Sequence, residues 1–325
     1  MDRILVTGST GCIGMAVIRY LAQKTEGKIL GYSRNAPEEP PAGNFLFVEG
    51  DITDHSRFRE ILRSMKPHRI IHLAGLQTPD CQANPFLGME VNMVATAKML
   101  QAVAEELPDL KRMVFASSVA VHGPRAAHPE AMLGLDASFC PTSLYAFWKI
   151  AGEGAAQAFH METRIPTVSL RLATTYGPGR DRGMTSAPTT ALKAVVMGKD
   201  FKIPYSGKEH YHYVDDVGAG FAEAAVAPFD GYGAFHLPGL TYPIQEYCDT
   251  VNQTAESLPA LDSPGKTAIK EGAPVVPFSS DLDHGVTLDV FPRMPLTSLR
   301  DGIQKSLECF ATQRDSWKLK GINVF

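Results

Sequence analysis

Tyr145 and Lys149 stand four residues apart in the segment Tyr145-Ala146-Phe147-Trp148-Lys149, a spacing that puts both side chains on one face of a helix. An ammonium held beside a phenol favours the phenolate and lowers its pKa, so Tyr145 is a candidate acid and base for a hydroxyl or a carbonyl. Taken alone, a tyrosine and a lysine at this spacing are commonplace and usually mean an exposed lysine beside a half-buried ring. A second group gives the pair a context. Gly8, Gly11 and Gly14 follow the apolar run Ile4-Leu5-Val6 and lead into residues of helical pattern from Met15 to Ala22. A glycine-rich turn between a strand and a helix is how a βαβ unit receives a dinucleotide. The first glycine permits the tight turn, the second lets backbone approach the pyrophosphate, and the third allows close helix–strand packing. The helix N-terminus then turns unsatisfied N–H groups toward the anion. Ser117 and Ser118 supply hydroxyls at the end of the apolar run Arg112 to Ala116.

Such groups must be brought together by a sheet. Strand-like runs recur at Ile4–Val6, at Leu30–Tyr32, at Phe45–Val48, at Arg69–Leu73, at Arg112–Ala116 and at Thr167–Leu170. Helical stretches lie between them, most clearly Glu90 to Glu106 and Tyr145 to His160. This alternation predicts an α/β fold, a Rossmann-type doubly wound parallel sheet with helices on both faces. Ligands in such sheets bind beyond the carboxyl ends of the strands. After Tyr176-Gly177-Pro178-Gly179, a turn, comes the polar loop Arg180-Asp181-Arg182-Gly183, and the pattern loosens into shorter elements. Helices are expected near Asp215 to Val226 and from Leu296 to Ala311, and surface loops at the proline-rich stretches 37–41 and 274–277. The division expected is a nucleotide-binding domain over 1–175 and a smaller C-terminal substrate-binding lobe over most of 176–325, with some elements returning to the first domain.

Bulk properties exclude several classes. The 325 residues are 44% hydrophobic and 20% charged, with a net charge of −4, an ordinary globular composition without the basic stripe that nucleic acid requires. No apolar run reaches the length of a membrane span. Core strand begins at residue 4, leaving no room for a signal peptide. The five cysteines are scattered without a C-x-x-C pair, and the ten histidines show no metal spacing, so reduced thiols, a cytoplasmic location and no metal are expected.

The combination resembles the short-chain dehydrogenase/reductase superfamily, and within it the extended branch, the NAD-dependent epimerase/dehydratase family that includes the nucleotide-sugar epimerases. Thr7-Gly8-x-x-Gly11-x-x-Gly14 matches the family's opening. Leu73-Ala74-Gly75, Val91-Asn92 with Thr96, Ser117 to Gly123, Tyr176-Gly177-Pro178 and Val214-Asp215-Asp216-Val217 match later segments, with His122 where tyrosine is usual. The resemblance implies roles. Ser118 holds the substrate oxygen, Tyr145 moves the proton, and Lys149 lowers the tyrosine pKa and binds the nicotinamide ribose. Hydride chemistry belongs to the cofactor. Cofactor contacts are implied at Gly8, Thr10, Gly11, Cys12, Ile13, Gly14, Ser33 and Arg34. Further contacts are Asp51 and Ile52 by the adenine, then Leu73, Ala74, Gly75, Asn92, Ala116, Ser117, Tyr145 and Lys149. The resemblance also implies a homodimer formed through the helices after the fourth and fifth strands. The second of these carries Ala151, Gly152, Gly154, Ala155 and Ala156, small residues that allow close helix approach or packing on the protein's own sheet.

Departures from the family pattern narrow the reading. The second strand ends Gly31-Tyr32-Ser33-Arg34-Asn35 without the carboxylate that binds an NAD ribose. A serine and an arginine suit a 2′-phosphate, so NADP is preferred, with NAD still possible. Val119 and Ala120 occupy the positions of the dehydratases' Asp-Glu pair and cannot exchange protons, which disfavours dehydration. Nucleotide-sugar enzymes of the family commonly carry a diphosphate-binding arginine six residues before the first aspartate of Val-Asp-Asp. Here that position is Glu209, and the asparagine often found between the sixth-strand arginine and Tyr-Gly-Pro is Thr174. Both changes weaken the case for a sugar nucleotide. Gln77, Thr78, Ser118, Val119, Thr174, Thr175, Ser186 and His210 are candidate substrate contacts, with Thr185 and His212 nearby. They suit a small polyhydroxylated compound, such as a sugar, sugar acid or polyol. Arg180 and Arg182 would clamp a carboxylate, unless they are solvated loop charges. The expected function is an NAD(P)-dependent oxidoreductase acting on a secondary alcohol or carbonyl of such a substrate. Two alternatives stay open: a sugar or nucleotide-sugar epimerase using tightly bound NAD for transient oxidation, and a non-catalytic NAD(P)-binding protein.

Overall fold

The computed structural model describes residues 2–320 except 39 and 42. Its main layer is a seven-stranded sheet built from β1 (Ile4–Thr7), β2 (Ile29–Ser33), β3 (Phe45–Glu49), β4 (Arg69–His72), β5 (Arg112–Ser118), β6 (Thr167–Leu172) and β10 (Tyr232–His236). The order is β10-β6-β5-β4-β1-β2-β3, and every pairing in it is parallel. Parallel strands need crossover connections, and helices supply them. On one face lie α1 (Cys12–Lys24) and α8 (Val214–Val226). On the other lie α2 (His55–Met65), α5 (Ala95–Glu106) and α6 (Leu144–Thr163). Alternation along β1 explains the two cores: Ile4 and Val6 pack with Val17, Ile71 and Phe221, while Leu5 faces Leu30, Phe58 and Met99. The six apolar runs read from the sequence are the first six strands.

Three differences from that reading have local causes. Before α5 the chain forms α3 (Thr78–Ala83) and α4 (Pro85–Met89). Each has a proline in its first turn, and Asn84 Oδ1 accepts the Leu87 N–H at 3.1 Å. The helix expected from Glu90 opens with a π turn, Glu90–Val94. The last helix, α11 (Leu299–Lys320), begins at Leu299 rather than Leu296, because Pro295 precedes it and the Ser298 hydroxyl caps it by accepting the Asp301 N–H.

The remaining elements make a lobe over the carboxyl ends of the sheet. It contains β7 (Thr174–Tyr176), α7 (Ala187–Val196), β8 (Phe201–Ile203), β9 (Lys208–Tyr213), β11 (Leu240–Pro243), α9 (Ile244–Ser257), β12 (Thr267–Ile269) and the short α10 (Gly285–Val290). A three-stranded sheet runs β11-β9-β7, and β12 pairs with β8. The lobe has its own apolar core, centred on Tyr176, Leu192, Tyr211, Tyr247, Ile303 and Phe310. Because α8 and β10 follow residue 175 yet join the main layers, the second half of the chain serves both parts. The stretch 37–41 forms no regular element, apart from residue 39, which lies outside the described residues, and 274–277 is also a loop.

Candidate active site

The glycine turn joins β1 to α1. Gly8 adopts a positive φ of 68°, and a Cβ there would stand 2.8 Å from the Ala74 nitrogen. A Cβ on Gly14 would overlap the Gly8 carbonyl oxygen. The first turn of α1 holds no acidic residue, and its N-cap, Gly11, offers no side-chain bond. The start of the helix is therefore free of negative charge, which fits a pyrophosphate. At the end of β2, the Ser33 hydroxyl accepts from Ser9 Oγ at 3.2 Å and from the Thr10 N–H at 3.3 Å. Arg34 beside it is exposed and forms no ion pair among the described residues. Asp51 accepts both groups of Thr53, and its carbonyl holds the Tyr32 hydroxyl at 2.8 Å, while Ile52 is buried.

Asn92, in the π turn, is buried and bonds both ways to one residue. Its Oδ1 accepts the Leu76 N–H at 2.7 Å, and its Nδ2 donates to the Leu76 carbonyl at 2.9 Å. Its amide thus pins the loop carrying Leu73, Ala74 and Gly75. Behind it, His72 bridges Thr7 (2.7 Å) and Thr96 (3.1 Å). Burial lowers its pKa to about 3, so it ties β1, β4 and α5 together as a neutral ring.

Ser143 caps α6 by accepting the Ala146 N–H at 3.2 Å, which sets the helix phase for Tyr145 and Lys149. Lys149 is 8% exposed; its Nζ donates to the Ala116 carbonyl at 2.7 Å and lies 5.5 Å from the Tyr145 ring centre. Burial brings its pKa down to about 8. Burial raises that of Tyr145, against which the Ser118 hydroxyl and the Arg180 guanidinium act. Lys149, the cation the sequence set beside the phenol, stands 5.5 Å from its ring centre, and Arg180 is a second cation acting on it. Ser118, at the end of β5, accepts the Ala120 N–H at 3.2 Å and stands 3.5 Å from the Leu172 carbonyl. Ser117 turns the other way, its hydroxyl on Glu153, which leaves only its backbone for a cofactor. Glu153 meets Arg171 in a two-bond ion pair, both contacts 2.9 Å and both residues buried. His122 joins this network at 3.3 Å from Arg171 Nη1 and 3.0 Å from His236.

On the lobe side, Arg180 donates to Gln77 Oε1 at 3.0 Å and to Thr185 Oγ1 at 3.3 Å, while Arg182 is exposed. Thr174 donates to Glu209 Oε1 at 3.0 Å. Glu209 is fully buried, and desolvation raises its pKa to about 7. The Ser186 hydroxyl closes its own turn on the Gly183 carbonyl. Thr175 is buried beside His212 in the strand register. His210 bonds Thr241 at 3.0 Å, and its titrating neighbours are His212, His284 and His236. It lies on the opposite face of β9 from Glu209. Thr78 and Val119 begin α3 and the short turn after Ser118. The arrangement therefore brings Ser118, Tyr145, Lys149, Gln77 and Arg180 together beside the glycine turn. Sequence reasoning missed His72, Glu153 and Tyr205. Glu153, four residues beyond Lys149, carried the one available signal, a carboxylate on the helix's inward face.

A profile of the NAD dependent epimerase/dehydratase family matches residues 4–234. UDP-glucose 4-epimerase of Mycolicibacterium smegmatis is 27% identical over 320 residues, covering 95% of this chain and 98% of that one. Among solved structures, UDP-glucose 4-epimerase of Thermus thermophilus in complex with NAD superposes with a TM-score of 0.76 at 22% identity, covering 95% and 98% of the two chains. L-threonine dehydrogenase of Clostridium difficile superposes at 0.80 and 21% identity, covering 97% and 99%. At such identities the two structures share the fold.

Proposed function

Because the chain belongs to the NAD dependent epimerase/dehydratase family, and is an enzyme of the extended short-chain dehydrogenase/reductase type, we propose that it is an NAD(P)-dependent oxidoreductase. Its substrate in this reading is a secondary alcohol or carbonyl of a small polyhydroxylated compound. The observation that carries the reading is the meeting of Ser118, Tyr145 and Lys149 at the carboxyl ends of β4 and β5 with Arg180 against the phenol. Bound nicotinamide would supply the hydride chemistry. Gly8, Gly11, Gly14 and the amides of α1 would hold its diphosphate, and Asp51 and Ile52 would lie by the adenine. Ser118 would orient the substrate oxygen by a hydrogen bond. Tyr145 would take its proton during oxidation and return it during reduction. Lys149, anchored on the Ala116 carbonyl, would hold the ribose and keep positive charge beneath the phenol. Arg180 would face a carboxylate of the substrate, which favours a sugar acid. Ser33 and the exposed Arg34 support NADP. No helix among the described residues is long and apolar enough to cross a membrane, and the five free thiols support a cytoplasmic location.

The epimerase reading uses the same three residues and is favoured by the full-length match to a UDP-glucose 4-epimerase. Glu209 in place of the diphosphate-binding arginine counts against it. Cofactor exchange separates the two. Nucleotide bound after purification is identified by mass spectrometry and challenged with NADP(H) and NAD(H). Free exchange with tighter NADP binding supports the oxidoreductase; NAD that stays bound through purification supports the epimerase. Replacing Tyr145→Phe is expected to cut turnover by about 10²- to 10⁴-fold while cofactor binding persists. Full activity in that variant would remove the catalytic assignment, and the reading would pass to a non-catalytic cofactor-binding protein.

A further inference from the structure

β6 ends at Leu172 in the seven-stranded sheet, and β7 begins at Thr174 in the three-stranded sheet of the lobe. Ala173 alone spans the gap, and its N–H goes to a side chain instead of a strand. It donates to Nε2 of His212, on β9, at 3.0 Å. The other ring nitrogen, Nδ1, stands 2.9 Å from the Pro238 carbonyl oxygen. A carbonyl can only accept, so Nδ1 carries the ring proton; an amide N–H can only donate, so Nε2 is bare. His212, 1% exposed, is thereby held as one neutral tautomer. Burial brings its pKa down to about 4, which keeps the acceptor in place at neutral pH. Gly239 gives the ring its room, since a Cβ there would stand 2.5 Å from His212 Nδ1.

The Ala173 N–H and the Leu172 carbonyl are the two ends of one peptide unit. That unit is planar and trans, so a fixed N–H direction fixes the opposite direction of the carbonyl. Leu172 is the residue opposite Ser118 in the register of β5 and β6, and its carbonyl faces Ser118 Oγ at 3.5 Å. The Ser118 hydroxyl also acts on the Tyr145 phenol. The long contact to Leu172 leaves that hydroxyl able to turn, and the place of the carbonyl decides how readily it does. All the donors point one way along the line, from Ser118 to the Leu172 carbonyl, from the Ala173 N–H to His212, and from His212 to Pro238. Hydrogen bonds aligned in this manner strengthen one another.

We infer that His212 is the positioning residue for Ser118: it holds the Leu172–Ala173 peptide at the joint between the two sheets, and through its carbonyl sets the direction of the Ser118 hydroxyl beside Tyr145. Both ring nitrogens are taken by backbone groups, so His212 acts through the peptide and not on the substrate. The inference deepens the reading under Proposed function and rests on the role given there to Ser118.

The test uses two variants. His212→Gln offers an amide oxygen near the place of Nε2 and keeps an acceptor for Ala173, whereas His212→Leu fills similar space without one. The first readout is NMR at pH 7 and needs no substrate. The wild type is expected to show His212 protonated on Nδ1. In His212→Leu the Ala173 amide should exchange about tenfold faster or more, and the Ser118 Cβ resonance should move; in His212→Gln both should stay as in the wild type. The second readout is turnover of a panel of hexoses, uronates and polyols with NAD and NADP. His212→Leu is expected to lose about 10²-fold in kcat with KM and cofactor affinity unchanged, and His212→Gln to recover most of it. A wild-type ring protonated on Nε2 overturns the inference, and this reading needs no variant to fold. So does His212→Leu with an unchanged Ala173 amide and Ser118 resonance, or a loss of kcat shared equally by His212→Gln. A panel that the wild type does not turn over counts against the reading under Proposed function, and the resonances then decide the place of His212 by themselves.

Discussion

At the scale of single residues, electrostatics at the site turns on burial more than on any one pair. Lys149 and Tyr145 are both shifted toward their neutral forms by desolvation, and Arg180 is the fixed cation that resists this for the phenol. Removing it as Arg180→Met should raise the Tyr145 pKa. Oxidation needs the phenolate, so the rise of kcat/KM with pH should move to higher pH than in the wild type; an unmoved profile would take Arg180 out of the proton chemistry. Glu209 gives a second pH dependence, in stability. Its folded pKa of about 7 lies above the ordinary 4.5, so the folded state binds the extra proton between these values. The resulting stability is fully present below about pH 4.5 and is lost as pH rises through about 7, roughly 3 kcal/mol in all. Glu209→Gln should therefore melt higher than the wild type at pH 8 and gain nothing at pH 5. A melting temperature unchanged at both would show that the carboxyl is solvated.

At the scale of elements, the site is held by buried polar ties between strands and helices. Arg171 on β6, Glu153 on α6 and Ser117 on β5 form one such tie, and it lies directly beneath Ser118 and Lys149. Glu153→Ala would leave Arg171 buried without its partner, which costs about 3–5 kcal/mol, read as a lowered denaturation midpoint. A loss below 1 kcal/mol would mean that Leu135 and His122 suffice for Arg171. This tie also marks the limit of what the sequence discloses. The strands were legible because apolar runs bounded by turn residues leave little choice, and the glycine turn because each glycine answers a backbone requirement. Tyr145 and Lys149 were legible from helical spacing. The partner of Glu153 lies 18 residues away on another strand, and the second cation near Tyr145 lies beyond the sixth strand, so neither has a local signature. The π turn is equally hidden, since one extra residue in a helical pattern leaves the apolar period almost unchanged.

At the scale of the whole molecule, one surface is left over. The inward side of α6 carries Tyr145, Lys149 and Glu153, and Gly152 is packed on Phe115 of the chain's own sheet, so that glycine serves the fold. The outward side carries Leu144, Phe147, Ala151, Gly154 and Met161, with Phe147 55% and Met161 63% exposed. The row continues onto α4 with Phe86 at 80% and Leu87 at 47%. A Cβ on Gly154 would touch nothing, so there the helix surface is flat and open to another helix. Contiguous apolar surface of this kind marks association. It lies on the helices through which the sequence resemblance implies pairing, so a second copy of the chain is the expected partner. Two-fold pairing would bury the outward row of α6 and brace from behind the helix that presents Tyr145 and Lys149. Light scattering should then give the wild type twice the monomer mass, and Phe147→Asp, which places a charge in the row, should give the monomer mass. Activity should fall with dimer content on dilution of the wild type. A wild type that is monomeric at micromolar concentration would refute the pairing, and α6 would then have to hold its catalytic face by packing on β5 and α5 alone.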